Sequence, residues 1–164
     1  MKKIFLSMLL LLFIGCGNDI YNIQKSTTIS KKETMSIIPF ANFTQTPLAG
    51  YKVAGITEGV FKSKGFNIQK SLWNFPEEDY TLKEIKNIIN NTQSDYIVTG
   101  YVNEYRYKAG IDGEPVISIT IKIYNNKKHK YIYTATISKI GNTYDSLGLI
   151  TQTSINKILD ETNK

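Results

Sequence analysis

Val116-Ile117-Ser118-Ile119-Thr120-Ile121-Lys122-Ile123-Tyr124 alternates apolar and polar side chains without a break, the period of a strand with one buried and one wet face. Ile117, Ile119, Ile121 and Ile123 take the inner face, and Ser118, Thr120 and Lys122 the outer. Turn-rich segments bracket this run at residues 109–115 and 125–130. Residues 95–108 also alternate, with Tyr96, Val98 and Val102 on one face and Tyr101, Asn103, Tyr105 and Tyr107 on the other. Residues 131–139 supply a third strand, so the three segments read as an antiparallel meander. Asp145 or Ser146 then caps a last helix that buries Leu147, Ile150, Ile155, Ile158 and Leu159.

Upstream of the meander the signals are those of strand and helix in turn. Residues 35–40 form a short apolar run closed by Pro39, and the loop at 41–47 leads into a helix carrying Leu48, Tyr51, Val53, Ile56, Val60 and Phe61. Gly55 and Gly59, four apart, are read as allowing that helix to approach a sheet, and Lys64-Gly65 ends it. Residues 66–70 fit a second strand. Residues 72–79 are irregular and hold Trp73, Phe75 and the acidic run Glu77-Glu78-Asp79, which suits either a cation or cationic sugar or simply a solvated loop. Thr81-Leu82-Lys83-Glu84 is a capping box that opens a helix to about Thr92. The order β-α-β-α-β-β-β-α predicts a single α/β domain over residues 35–164, a mixed sheet of about five strands with helices packed on it.

The amino-terminal residues have a different logic. Met1-Lys2-Lys3 is a positive start, residues 4–14 are apolar, and Phe13-Ile14-Gly15-Cys16 places a small residue directly before the chain's one cysteine. This reads as a signal peptide over residues 1–15. An eleven-residue helix reaches about 16 Å, well short of a hydrocarbon core of about 30 Å. The Gly-Cys junction resembles the lipobox of bacterial lipoproteins, which implies cleavage before Cys16 and a diacylglycerol on its thiol. Several acyl chains, at about 0.8 kcal/mol per buried methylene, make a lasting anchor. Gly17 rather than Asp follows the cysteine, so the expected location is the periplasmic face of the outer membrane. Residues 17–34 are polar, with Ile20, Tyr21, Ile23 and Ile29 isolated, and read together with Cys16 as an acylated tether.

Composition removes several classes of function. The chain has 164 residues and 41% hydrophobic side chains, enough for one core. Twenty Lys and Arg against fourteen Asp and Glu give +6, and without Lys2 and Lys3 the charge is +4. That excess is spread along the chain rather than gathered in a basic stripe, so no nucleic-acid partner is expected. One cysteine and one histidine exclude an intrachain disulfide and a Cys/His zinc cluster. His129 lies in Lys127-Lys128-His129-Lys130 and reads as a solvated turn. There is no Gly-x-Ser-x-Gly elbow, and Gly55-x-x-x-Gly59 lacks the Gly-Lys-Ser/Thr of a phosphate loop. The expectation is a protein that is not an enzyme and needs no cofactor. Two fates fit the tyrosine face of residues 101–107: packing under a helix with hydroxyls at the edge, or contact with another subunit or a glycan. Arg106, on the opposite face among apolar neighbours, calls for a carboxylate, and Asp112 and Glu114, just after it, are the candidates.

Pro39-Phe40-Ala41-Asn42, Thr46-Pro47-x-Ala49-Gly50 and above all Arg106-Tyr107-Lys108-Ala109-Gly110-Ile111-Asp112-Gly113-Glu114-Pro115 closely resemble the PelC family, the outer-membrane lipoproteins of the Pel exopolysaccharide exporter. The Pro-Phe-x-Asn element is shared more widely, with proteins similar to the curli secretion lipoprotein and the TolB amino-terminal domain. The resemblance implies an α/β domain assembled as a homo-oligomeric ring of twelve beneath an export porin, guiding a cationic exopolysaccharide by charge. It carries over three positions as polymer-binding or lumen residues, Asp112, Glu114 and Arg106. A membrane-dipping aromatic of the family falls in residues 140–144, where this chain offers Tyr144 in place of tryptophan. A monomeric outer-membrane lipoprotein that binds and activates a cell-wall synthase is the competing expectation.

Overall fold

The computed structural model describes residues 20–25, 29–110 and 113–162. Among these residues seven strands form one mixed sheet: β1 (Ile20–Lys25), β2 (Thr34–Ile37), β3 (Ala41–Asn42), β4 (Asn67–Lys70), β5 (Tyr96–Tyr107), β6 (Pro115–Asn125) and β7 (Lys130–Ile140). The order across the sheet is β1-β7-β6-β5-β2-β4, with β3 beside β5. β2 is parallel to β4 and β5, whereas β5, β6, β7 and β1 are antiparallel in succession. Among the described residues three α-helices accompany the sheet, α1 (Ala49–Ser63), α2 (Leu82–Asn90) and α3 (Leu147–Thr162). Helices α1 and α3 cover one face, over a core that includes Phe61, Val98, Ile119, Ile121, Ile137 and Ile155. Helix α2 covers part of the other, packing Ile85 and Ile89 against Ile38, Ala41 and Ile97.

The α/β domain is as expected, but the sheet has seven strands rather than five. β3 continues the line of β2 after Pro39, whose missing N–H interrupts the ladder. β1 lies within the stretch read as tether. Its Tyr21 and Ile23 alternate onto the core face opposite Ile137 and Ala135, and six paired residues cover the edge that β7 otherwise exposes. The sheet therefore takes in residues 20–25, ahead of the residue 35 from which the domain is expected.

A second departure is a bulge in β5 between Val102 and Glu104. Asn103 is the extra residue, so side chains after it change face. Tyr105, expected beside Tyr101, instead joins Val98 and Val102 in the core at 6% exposure. The meander's other signals hold: the four isoleucines of β6 are buried, Thr81 and Glu84 form the reciprocal capping box, and Ser146 Oγ accepts from Leu149 N at the start of α3.

Phe40 explains the first resembling motif. A Cβ on Gly50 would lie 2.1 Å from the Phe40 carbonyl oxygen, and one on Gly100 would lie 1.9 Å from Thr120 O and 2.9 Å from the Phe40 ring. Gly50 and Gly100 thus let α1 and β5 close on Phe40. Asn42 ties the following loop, donating to Thr46 O and Asp79 Oδ1 and accepting from Thr44 N and Oγ1. Gly55 and Gly59 do not approach the sheet. Both are exposed on the outer side of α1, and a Cβ on Gly59 would meet nothing within 4 Å. Each weakens the helix by about 1 kcal/mol relative to alanine.

Candidate functional site

The β5–β6 hairpin carries the residues singled out from sequence. Lys108 N donates to Glu114 O at 2.8 Å, and Gly110 and Gly113 take positive φ, at 129° and 51°, as the turn requires. The bulge at Asn103 sends Glu104 and Arg106 to the same open face of the sheet, two residues apart. Arg106 Nη2 consequently reaches Glu104 Oε1 at 2.7 Å, and its side chain is 56% exposed. The partner expected among Asp112 and Glu114 is thus Glu104, because residue 106 sits opposite Val116 and points to solvent rather than into an apolar layer. Glu114 Oε2 pairs instead with Lys108 Nζ at 2.7 Å. Asp112 lies outside the described residues. With Glu104 and Arg106 paired, and Lys108 and Glu114 paired, Asp112 is the remaining formal charge between residues 104 and 115.

Arg106 and Glu104 form one wall of a polar cleft of about 540 Å³, closed on the other side by residues 43–46. Phe43 N donates to Val102 O and Thr46 Oγ1 to Tyr105 O, which fixes that loop against β5. The Phe43 ring is 53% exposed and meets Tyr101 with centroids 5.8 Å apart. Beyond Tyr101 the open sheet face continues with Lys122, whose ammonium lies 5.3 Å from the Tyr101 ring centre and 5.2 Å from that of Tyr131. Glu104 escapes a reading of the sequence because the bulge that brings it to this face has no local signature, and Phe43 because its place beside Tyr101 is set by contact with β5, much later in the chain.

Tyr144 is 99% exposed in the loop before α3. Gly141 N donates to Pro115 O, so this loop lies at the same end of the sheet as the hairpin. Tyr107, Ile140 and Leu149, at 50%, 39% and 47% exposure, share that end, and β1 enters there, with Ile20 opposite Ser138. Cys16 lies outside the described residues. His129 is exposed in the β6–β7 turn at the opposite end. Lys127 there binds Asp95 Oδ1 at 2.8 Å and Glu33 at 3.4 Å, and Thr34 N and Oγ1 donate to Asp95 Oδ2. The Lys127 and Thr34 contacts hold the Asp95 carboxyl down at about 2. Among the described residues no group of three or more His, Cys, Asp or Glu is placed to hold a metal ion, and no helix is long and apolar enough to cross a membrane.

No family model and no curated protein matches the sequence. Solved structures do. A PelC dodecamer from Paraburkholderia phytofirmans is similar over 88% of this chain and 96% of its own, at 21% identity and a TM-score of 0.72, and a single-substitution form of that dodecamer gives 0.70 over the same shares. Lipoprotein GNA1162 from Neisseria meningitidis is similar over 78% of this chain and 99% of its own, at 13% identity and a TM-score of 0.57. With its mixed sheet, its two helices on one face and one on the other, this chain has the PelC fold.

Proposed function

We propose that the chain is a lipid-anchored outer-membrane protein that assembles as a periplasmic ring and guides an exopolysaccharide to its export porin. The observation that carries this reading is the structural likeness to PelC dodecamers over nearly the whole of both chains, joined to the Arg106–Pro115 motif. The layout of the domain supports it. Ile20 is four residues along the chain from Cys16, a reach of at most about 14 Å, so an acylated Cys16 holds the β1 entry close to the bilayer. Tyr107, Ile140, Tyr144 and Leu149 then face the lipid, with Tyr144 in the role of the interfacial aromatic. The basic turn at Lys127 to Lys130 is turned away from the membrane, which frees the hairpin end of its charge.

In this reading Asp112, Glu114 and Arg106 line the polymer path, with Asp112 adding negative charge that attracts a cationic polymer. Nothing in the proposed role requires bond making or breaking. Deleting the protein is expected to remove surface polymer while synthesis continues, measured as cell-associated against intracellular polymer. Normal surface polymer in the deletion strain would overturn the proposal. Light scattering of the mature lipoprotein in detergent is expected to give the mass of a ring, and a strict monomer on membranes would favour a regulator of a cell-wall synthase.

A further inference from the structure

Trp73, the chain's one tryptophan, is 90% exposed. It stands at the rim of a groove of about 550 Å³ whose floor is the outer side of α1 at Gly55 and Gly59. Two features mark this groove as built rather than incidental. The glycines leave the floor bare although packing does not need them there: a Cβ at Gly55 would make only ordinary contact with Leu72, and one at Gly59 would meet nothing. The turn that carries Trp73 is also fixed in place by a buried carboxylate. Glu58 accepts from Ser71 Oγ and Leu72 N, both at 2.6 Å, and from Lys62 Nζ at 2.5 Å, at 6% exposure. The turn that bears this exposed indole is thereby fixed beside a shallow, open floor.

The rim decides what fits. Lys52 and Lys62 offer donors and Glu77 an acceptor around the apolar centre. Tyr51 hydroxyl donates to Phe75 O and keeps its own oxygen available. A purely apolar peptide side chain leaves these groups unmatched, whereas a sugar ring has an apolar C–H face and a hydroxylated edge. We infer that the groove under Trp73 is a subsite for one pyranose ring of a polysaccharide, stacked by its C–H face on the indole, with its edge bonded to Lys52 and Glu77. The inference rests on the export reading for the identity of the polymer, and adds a contact point on the outer side of α1, away from the hairpin.

Trp73 reports on its own site, because all tryptophan emission comes from it. Mature lipoprotein in detergent, titrated with tetramers of N-acetylglucosamine and of glucosamine, is expected to show a saturable change in that emission. Gly59→Leu, whose Cβ would meet nothing within 4 Å, is expected to fill the floor and abolish it. By calorimetry Trp73→Ala is expected to bind at least tenfold more weakly and Trp73→Phe to fall between, and neither change threatens a fold in which this side chain is exposed. Emission unmoved by either tetramer, or binding unaltered in Gly59→Leu or Trp73→Ala, would overturn the subsite. Ring mass and surface polymer measured with the same variants separate the two proposals: the subsite fails alone if both persist without saccharide binding, and the export reading fails if the deletion strain exports normally.

Discussion

The two halves of the sheet reach stability by different routes. β2, β3 and β4 are short, parallel and flanked by α1 on one face and α2 on the other, and residues 35–41 are buried without alternation. β5, β6, β7 and β1 are antiparallel with one covered face; the open one carries a Ser118–Ser138 contact at 3.2 Å and a Thr120–Thr136 contact at 3.0 Å. The first half depends on close fits and on polar clips from outside the strands. The second depends on register and on a repeated side-chain pattern, so it tolerates more on its wet face.

Substitutions can break or sharpen this contrast. The largest effect is expected at the junction. Gly100→Ala drives a Cβ into Thr120 O of one half and the Phe40 ring of the other, a backbone clash expected to cost more than about 4 kcal/mol and to abolish cooperative thermal unfolding. Next is Glu58→Ala in the parallel half. It removes the acceptor of the buried Leu72 N–H and of Ser71, and urea titration is expected to show a loss of about 2–3 kcal/mol. Burial alone pushes the Glu58 carboxyl up, but the bonds from Lys62, Ser71 and Leu72 outweigh it and hold the net value below the ordinary one.

Asp95→Asn loosens the clip between the start of β2 and the β6–β7 turn, at an expected cost of about 1–2 kcal/mol. The wild-type contribution is complete above the unfolded value near 3.8 and is lost as the pH falls toward the folded value of about 2. The wild type is therefore expected to lose stability over that window more steeply than Asp95→Asn, and parallel curves would refute the clip. The smallest effect belongs to the open face of the meander. Lys122→Ala removes an ammonium held between Tyr101 and Tyr131 and is expected to change stability by about 0.5 kcal/mol. A loss several times larger would mean that this face is covered when the protein is assembled.

The same contrast governs what is legible in the sequence. Strict alternation makes β6 readable residue by residue, because one covered face imposes a period of two. The capping box of α2 is equally plain, since Thr81 and Glu84 satisfy each other locally. β5 is readable only up to its bulge, as the extra residue at Asn103 is set by pairing with β6. Glu104 escapes notice as the partner of Arg106 for that reason. β1 is hidden because Tyr21 and Ile23 gain burial only through an edge formed more than a hundred residues later. Gly55 and Gly59 show the limit of residue type as evidence: their spacing suggests close packing, yet the close approaches are at Gly50 and Gly100.

β1 also has a mechanical consequence. It enters the sheet at the end where Tyr144 is exposed and runs antiparallel to β7 through six residue pairs. Tension applied from the residues before Ile20, away from the domain, acts along the strand rather than across it. All the rungs of the β1–β7 ladder then resist sliding together, instead of opening one after another like a zip. A chain moored by its amino terminus in this geometry withstands a steady pull far better than one whose first strand is peeled from its edge.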